Sequence, residues 1–339
     1  MFRLGIVVAS LLACLCAQEQ PGRFNVEVKL VTVLATVKNS QGVPTGELER
    51  EDFTLFAAGV PQRIAIFERQ TDRPLSIALL FDASPSVAKE LRFEQEAAVR
   101  FIRSLLGSGA NPADRIAVYK FSDFVDEVQG FTNSVQRLER AALSIRTHGG
   151  TSLYDALYLA AQGLQNREGR KVIVVITDGD DTTSDIKFSQ ALEAVQLADA
   201  VVYSIIVVPI TNDAGRNLGG ENALKTMSAA TGGLAFLQHS GQDLDSNFRQ
   251  IERDLRLQYL IGFYPQGVPA GPDRFHRIEL QVKRPGMKVL ARTGYFSGPE
   301  QEPVTLYAPA VAVDGSAPRE RKKEAPAVRG NKSSPRSIP

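Results

Sequence analysis

The chain has 339 residues, 43% of them hydrophobic, and its 39 basic residues nearly balance its 38 acidic ones. This length allows two domains and a tail. The balanced charge gives no broad basic surface for nucleic acid or an anionic membrane, so we expect no nucleic-acid partner.

The first seventeen residues have the layout of a secretory signal peptide. Arg3 precedes an apolar stretch over residues 4–13, and small residues precede the polar QEQPGR. The apolar stretch is too short to span a bilayer, which needs about 20 residues, and no other segment is long enough. Residues 1–17 are therefore predicted to be a cleaved leader. The mature protein is predicted to be extracytoplasmic (secreted, periplasmic or at the cell surface) and to have no transmembrane segment.

Both cysteines, Cys14 and Cys16, lie inside this leader, so cleavage after Ala17 would leave a mature chain without disulfides. An alternative is a lipoprotein, because the sequence LLAC ending at Cys14 resembles a bacterial lipoprotein processing box. We favour cleavage after Ala17.

Residues 24–73 are predicted to form an N-terminal β segment. FNVEVKLVTVLATVKN alternates apolar and polar positions and is rich in β-branched residues, and SQGVPTG is a turn cluster. FTLFAAGVPQRIAIFE is interpreted as two short strands around Gly59 and Pro61.

Residues 74–258 are predicted to form a doubly wound α/β domain with a mostly parallel sheet, because apolar strands alternate with amphipathic segments. The predicted strands are SIALLF, RIAVYKF, KVIVVIT, VVYSIIVV and LAFLQ, with VDEVQGF as an antiparallel edge strand. The predicted helices are VAKELRFEQEAAVRFIRSLL, TSLYDALYLAAQGLQ, FSQALEAVQLAD, ENALKTMSAA and DLDSNFRQIERDLRLQ.

Residues 259–297 show β patterns again, in YLIGFYP, FHRIELQVK and KVLARTGYF. With residues 24–73 they make about seven short strands, enough for a flanking sandwich-like module in which both ends of the chain pack together. Residues 298–339 are rich in Pro, Ser and basic residues and are predicted to be disordered.

Polar side chains follow the first and fourth strands of the predicted sheet. Asp82 ends the first strand and is followed by Ser84 and Ser86, and Asp178 follows the fourth. In a 3-2-1-4-5-6 strand order these two strands are neighbours whose connections leave in opposite directions, where α/β sheets bind ligands. A third loop, HGGTSLYDAL, brings the Thr151 hydroxyl beside two glycines that allow close backbone approach.

Two carboxylates with several hydroxyls suit a hard cation such as Mg²⁺, with Mn²⁺ or Ca²⁺ as alternatives. Zinc would need His or Cys ligands, and His148, His239 and His276 form no such set in the sequence. His148 is interpreted as a hydrogen-bonding group of its loop. DGDDTTSD lacks the central Gly and terminal Glu of an EF-hand loop.

The motifs D-A-S-P-S, GGTS and T-D-G together resemble the metal-ion-dependent adhesion site of von Willebrand factor type A (VWFA) domains, whose pattern is D-x-S-x-S with a separate Thr and Asp. The three parts occur in the family's order, and the resemblance covers about residues 74–258. DFTLFAAGVPQRIAIFE in addition resembles the flanking β segments of bacterial exported VWFA-related proteins.

The resemblance implies a noncatalytic protein-binding or adhesion module in which Mg²⁺ bridges to an Asp or Glu of a partner protein. The implied metal ligands are Asp82, Ser84, Ser86, Thr151 and Asp178. One departure is Pro85, where the family commonly has Gly, because proline fixes φ and removes an N–H donor.

Three alternatives remain at this point. In the first, Ser84 or Ser86 only caps a helix that starts at Val87. The protein could be a structural component of an envelope assembly with a degenerate metal site. It could also be a metal-dependent phosphohydrolase with Asp82 as nucleophile, but the sequence has no matching base, lysine or phosphate loop, so we expect no enzyme. The partner's identity and the oligomeric state are not predicted.

Overall fold

The structure is a computed structural model that describes residues 30–69, 73–208, 217–238, 244–269 and 274–297. The predicted leader at 1–17, including Cys14, and the predicted tail at 298–339 lie outside the described residues. Within these ranges, no helix is both long and apolar enough to cross a bilayer.

Strands and helices follow one another in a regular order along the described chain. In chain order they are β1 (Val31–Lys38), β2 (Phe53–Ala57), β3 (Val60–Gln62), β4 (Ile66–Arg69), β5 (Leu75–Asp82), α1 (Leu91–Leu105), β6 (Arg115–Phe121), β7 (Val125–Thr132), α2 (Val135–Ser144), α3 (Leu153–Gln165), β8 (Arg170–Thr177), α4 (Phe188–Leu197), β9 (Ala200–Val207), α5 (Leu218–Thr231), β10 (Ala235–Gln238), α6 (Leu244–Arg256), β11 (Tyr259–Phe263), β12 (Phe275–Val282), β13 (Lys288–Ala291) and β14 (Gly294–Phe296).

A six-stranded sheet of order β10-β9-β8-β5-β6-β7 forms the centre of the α/β part. All its pairings are parallel except that of β6 with β7, which is antiparallel. Every residue of β5 and β9 is buried, as expected for strands covered by helices on both faces. Helices α1, α2 and α6 contribute to the core on one face, and α3, α4 and α5 pack together on the other. This mixed α/β fold confirms the predicted fold class.

Two four-stranded antiparallel sheets flank the central sheet, with orders β13-β1-β11-β4 and β14-β12-β2-β3. Each contains strands from both ends of the described chain, because β1 pairs with β11 and β2 with β12. One hydrophobic core includes Val33 and Tyr259 of the first sheet and Leu55 and Ile278 of the second, as in a sandwich. The domain limits at 73/74 and 258/259 stay a prediction.

A buried ion pair joins the first of these sheets to the last helix. Lys38, the final residue of β1, places its Nζ 2.8 Å from Oδ2 of Asp254 in α6. Arg170, the first residue of β8, donates a hydrogen bond to the Leu255 carbonyl of the same helix. The C-terminal end of α6 is therefore held from two sides.

The structure corrects several details of the predicted elements. FTLFAAGVPQRIAIFE forms three strands rather than two, and KVLARTGYF forms two, because in each case the chain passes from one flanking sheet to the other. The flanking strands in the described residues therefore number eight rather than seven. Helix α2 was missed, and α1 begins at Leu91 rather than Val87.

Candidate functional site

Asp82 is fixed by the pairing of β5 with β8. The strands are in parallel register with Phe81 opposite Ile176, so the next residues, Asp82 and Thr177, also lie side by side. Thr177 Oγ1 donates a 2.6 Å hydrogen bond to Asp82 Oδ2, and the backbone N–H of Ser84 donates a 2.8 Å bond to Oδ1. Both carboxylate oxygens are thereby oriented at the point where the connections of β5 and β8 diverge.

The two serines lie on a short turn between β5 and α1. Pro85 occupies the first position of a 3-10 turn over Pro85–Val87, where its fixed φ is favourable and its missing N–H is not required. Ser84 before it is extended, as residues preceding proline usually are. The hydroxyl oxygens of Ser84 and Ser86 are 2.8 Å apart. Pro85 is thus compatible with the loop shape that brings both hydroxyls together.

Neither serine caps a helix through its side chain. Ser84 precedes the 3-10 turn without a side-chain capping bond, and the N-cap of α1 is Glu90. The capping interpretation is therefore wrong, and the two hydroxyls instead bond to each other.

Asp178 follows β8 directly and adjoins the serine turn. Burial raises the pKa of Asp178, and a hydrogen bond from Ser86 to its carboxyl group opposes this rise. Gly179 takes a φ of +95° and donates its N–H to Thr177 Oγ1 at 3.0 Å, which turns the chain away from the sheet. Asp82, Ser84, Ser86 and Asp178 are thus linked through hydrogen bonds and adjacent strand ends.

Thr151 reaches the same end of the sheet through its backbone. Its N–H donates to Thr182 Oγ1 at 2.9 Å, and its carbonyl accepts from the Thr182 N–H at 2.8 Å. These bonds join its loop to the loop that follows Asp178. The neighbouring His148 donates its backbone N–H to the Ala83 carbonyl at 2.8 Å, which joins the loop to the Asp82 segment as well.

Two predicted features of the Thr151 loop are confirmed. His148 is a hydrogen-bonding group, because its Nδ1 lies 3.1 Å from Ser122 Oγ. Gly149 has a φ of +69°, and a Cβ at this position would lie 1.9 Å from an Asp123 carboxylate oxygen. A side chain at Gly149 would therefore push the loop away from the β6–β7 connection.

The residues of the candidate site differ in how far they are buried. Asp82 is 0% exposed, and Ser84 and Thr151 are each 3% exposed. Ser86 is exposed and Asp178 is partly exposed. A ligand would therefore approach from the side of Ser86 and Asp178, with Asp82 beneath it.

The site is electrostatically suited to a cation. Burial raises the pKa of Asp82 to about 6, against hydrogen bonds from Ser84 and Thr177 that lower it, and the neighbouring Asp178 raises it further. Burial likewise raises the pKa of Asp178. Each carboxylate is thus costly to ionise until a positive charge compensates it.

The donor set fits a hard divalent cation. The residues offer carboxylate and hydroxyl oxygens, the ligands that Mg²⁺ prefers. Adjacent oxygens around Mg²⁺, with bonds of about 2.0–2.1 Å at right angles, lie about 2.9 Å apart. The 2.8 Å between the serine hydroxyls is close to that spacing. Across the described residues, no three His, Cys, Asp or Glu side chains cluster as a metal site, so the candidate depends on hydroxyls beside two carboxylates.

Residues 77–180 match the family model of the von Willebrand factor type A domain. This part of the chain is a VWFA domain. The match includes Asp82, Thr151 and Asp178, and it ends two residues beyond the last of them.

Several solved structures are similar to the chain, in each case at low identity. BatB from Bacteroides thetaiotaomicron is 17% identical, and the alignment covers 53% of this chain and 98% of BatB, with a TM-score of 0.42. The vWF domain of the type V pili tip protein Mfa5 from Porphyromonas gingivalis is 13% identical, with coverages of 59% and 98% and a TM-score of 0.46. A von Willebrand factor type A protein from Catenulispora acidiphila is 12% identical, with coverages of 80% and 75% and a TM-score of 0.47. A search of curated proteins gave no significant match.

Two residues near the candidate site were not identified from the sequence. Thr177 orients Asp82, and the register of two adjacent parallel strands could have indicated it. Glu94 in α1 is completely buried. Its position three residues after Leu91 and four before Ala98 places a carboxyl group on the apolar stripe of the helix, which is visible in the sequence.

Proposed function

We propose that the VWFA domain is a noncatalytic binding module that holds Mg²⁺ through Asp82, Ser84, Ser86, Thr151 and Asp178 and uses it to bind an Asp or Glu of a partner protein. The observation that carries this proposal is the convergence of a buried carboxylate, Asp82, and a partly exposed one, Asp178, with two hydroxyls 2.8 Å apart at one end of the sheet. The bound cation would supply positive charge that attracts a partner's carboxylate.

The chain's own residues divide this task between them. Asp82, held by Thr177 and the Ser84 N–H, provides a fixed negative charge at the buried end of the site. Ser84 and Ser86 add neutral oxygens, so that the two carboxylates of the ligand set balance the charge of a divalent cation without an excess of negative charge that would repel a partner's carboxylate. The exposed Ser86 and partly exposed Asp178 form the side open to a partner.

A phosphohydrolase is disfavoured by the state of Asp82. Both oxygens of this carboxylate accept hydrogen bonds from the chain, and the side chain is 0% exposed. A nucleophile needs a free oxygen directed at the substrate. Activity on p-nitrophenyl phosphate that is abolished by Asp82→Asn would revive the enzyme interpretation.

The predicted leader supports an extracytoplasmic site of action, where the partner would be another exported or surface protein. A structural role with a degenerate metal site is the second candidate, and it differs from the proposal in predicting no metal affinity. Measurement of metal binding therefore separates the two.

The first experiment is calorimetric titration of residues 18–339 with Mg²⁺ and Mn²⁺. We expect dissociation constants in the millimolar range or tighter, weakened at least tenfold by Ser86→Ala or Thr151→Val. Ser144→Ala is the matched control, because this serine only bonds the Ala141 carbonyl within α2. Equal affinities for the wild type and the two site variants would contradict the proposed ligand set.

The second experiment tests the partner chemistry. A displayed random peptide library is selected on the immobilised protein in Mg²⁺, and selected peptides are remade with each Asp or Glu replaced by its amide. We expect binding that is lost in chelator, in the Thr151→Val variant and in one specific amide peptide. Peptides that bind equally in chelator would refute cation-bridged recognition.

A further inference from the structure

Glu94 is a buried acid without a hydrogen-bond partner. It lies in the first turn of α1 and is 0% exposed. Neither of its carboxyl oxygens has a hydrogen-bond partner among the described residues. Buried polar groups are nearly always hydrogen-bonded, and an unpaired buried carboxyl is costly to the fold. We therefore expect a ligand or a water molecule to supply the hydrogen bond that the Glu94 carboxyl group lacks.

The surroundings of Glu94 connect it to the candidate metal site. The charged groups that act on it are all carboxylates: Asp82, Glu90 and Asp178. Two of these are the carboxylates of the VWFA site. Burial and these neighbours together raise the pKa of Glu94 well above its ordinary value. A positive charge at the site would act on Glu94 as it acts on Asp82 and Asp178.

Glu94 nevertheless lies outside the inner group of ligands. Among the described residues, no three acidic or histidine side chains are close enough together to hold one ion. Glu94 is thus not part of a three-carboxylate cluster, although the charges of Asp82 and Asp178 contribute to its raised pKa. A water molecule beside Glu94 would give its oxygens the hydrogen-bond donor that they lack, and this water would need two or more polar partners to be stable there.

We propose that Glu94 is an outer-sphere residue of the metal site, where its carboxylate accepts a hydrogen bond from a metal-bound water on the buried side. This inference rests on the proposed function. Mg²⁺ usually retains part of its water shell, so a water at this position is chemically expected. Acceptors outside the ligand set orient bound water and raise affinity, and their loss typically weakens metal binding 10–100-fold.

The test compares Glu94→Gln with Glu96→Gln, a matched control on the same helix whose side chain pairs with Arg92 at the surface. Titration with Mg²⁺ and with Mn²⁺ at pH 7.5 is expected to show 10–100-fold weaker binding for Glu94→Gln. The control should bind as the wild type does. Glu94→Leu, which also removes the acceptor, should be at least as weak, and circular dichroism reports whether each variant is folded.

Thermal denaturation adds a measurement that a purely structural role would not change. In chelator, Glu94→Leu should melt above the wild type, because it replaces a buried acid without a partner by an apolar side chain. In saturating Mg²⁺ the wild type should gain more in melting temperature than either variant. An equal gain in all proteins, or Mg²⁺ affinities within twofold of the wild type, would overturn the role of Glu94 and leave the proposed function intact. A wild-type protein that binds neither cation would overturn both.

Discussion

Replacing Asp82 by Asn tests how much the buried charge of the site costs the fold. Asp82 is 0% exposed, and burial raises its pKa from an ordinary 3.8 to about 6. Because the folded-state pKa lies above the unfolded one, the group favours folding most below pH 3.8, and this contribution is lost as pH rises through 6. The metal-free wild-type protein should therefore become less stable, relative to Asp82→Asn, between pH 4 and 7.

The size of the effect follows from the two pKa values of Asp82. At 1.36 kcal/mol per pKa unit, the difference corresponds to about 3 kcal/mol above pH 7. About 2 kcal/mol of this is lost between pH 4.5 and 7.5. Asn also loses an acceptor for Thr177 or for the Ser84 N–H, which costs about 1 kcal/mol but does not vary with pH.

Urea denaturation in chelator at pH 4.5, 6.0 and 7.5 measures this difference. The free energy of unfolding of Asp82→Asn minus that of the wild type should rise by about 2 kcal/mol across the range. Asp126→Asn removes an exposed carboxylate from β7 and serves as the control. A difference for Asp82→Asn that stays constant within about 0.5 kcal/mol would refute the reasoning from burial.

Addition of Mg²⁺ should reduce the stability advantage of Asp82→Asn at pH 7.5. A cation that binds only the folded protein stabilises it by RT ln(1 + [L]/Kd), or about 1.4 kcal/mol at ten times the dissociation constant. The wild type should gain this amount of stability, and Asp82→Asn, which lacks the buried negative charge of the site, should gain much less.

Two further substitutions test the framework that holds the site. Gly149→Ala should lower the free energy of unfolding, measured with urea, by about 1–3 kcal/mol, because the new Cβ would meet Asp123. Gly42→Ala is the control, and it should cost less because Gly42 has a similar φ of +76° but open space around it. Equal losses in the two variants would contradict the steric argument. Lys38→Met should lower the free energy of unfolding by about 3–5 kcal/mol, because it leaves Asp254 buried without its cation. Adding Asp254→Leu should recover most of that loss. A loss below about 1 kcal/mol in the single variant would show that the ion pair contributes little to stability.

The α/β part was predictable because its signals are local. Apolar runs such as KVIVVIT are typical of strands buried on both faces, and the positions of Asp82 and Asp178 after two such runs place them at one edge of a doubly wound sheet. The predicted order of the strands agrees with the observed β10-β9-β8-β5-β6-β7. Helix α2 was missed because it is short and its buried face consists of only Leu138, Ala141 and Ala142.

The flanking strands were harder to count because sheet membership depends on distant partners. The alternation of apolar residues continues from β3 to β4 and from β13 to β14, yet each pair divides between two sheets. Local pattern gives the strand period but not the strand with which a segment pairs. The role of Thr177 was missed for the same reason, because it depends on the register between β5 and β8.

Two buried acids, Asp82 of the D-A-S-P-S motif and Glu94 outside the motifs, explain why the site would respond strongly to a cation. Asp82 and Glu94 are both fully buried, and burial raises the pKa of each, so the metal-free fold carries two acids in an unfavourable environment. A protein selected for stability alone would replace them with apolar residues. Their presence on β5 and α1, on either side of the serine turn, is consistent with a free-energy cost that metal binding offsets. Metal affinity and the stability of the metal-free protein should then change in opposite directions, so that a substitution that stabilises the metal-free protein at either position weakens binding of the cation.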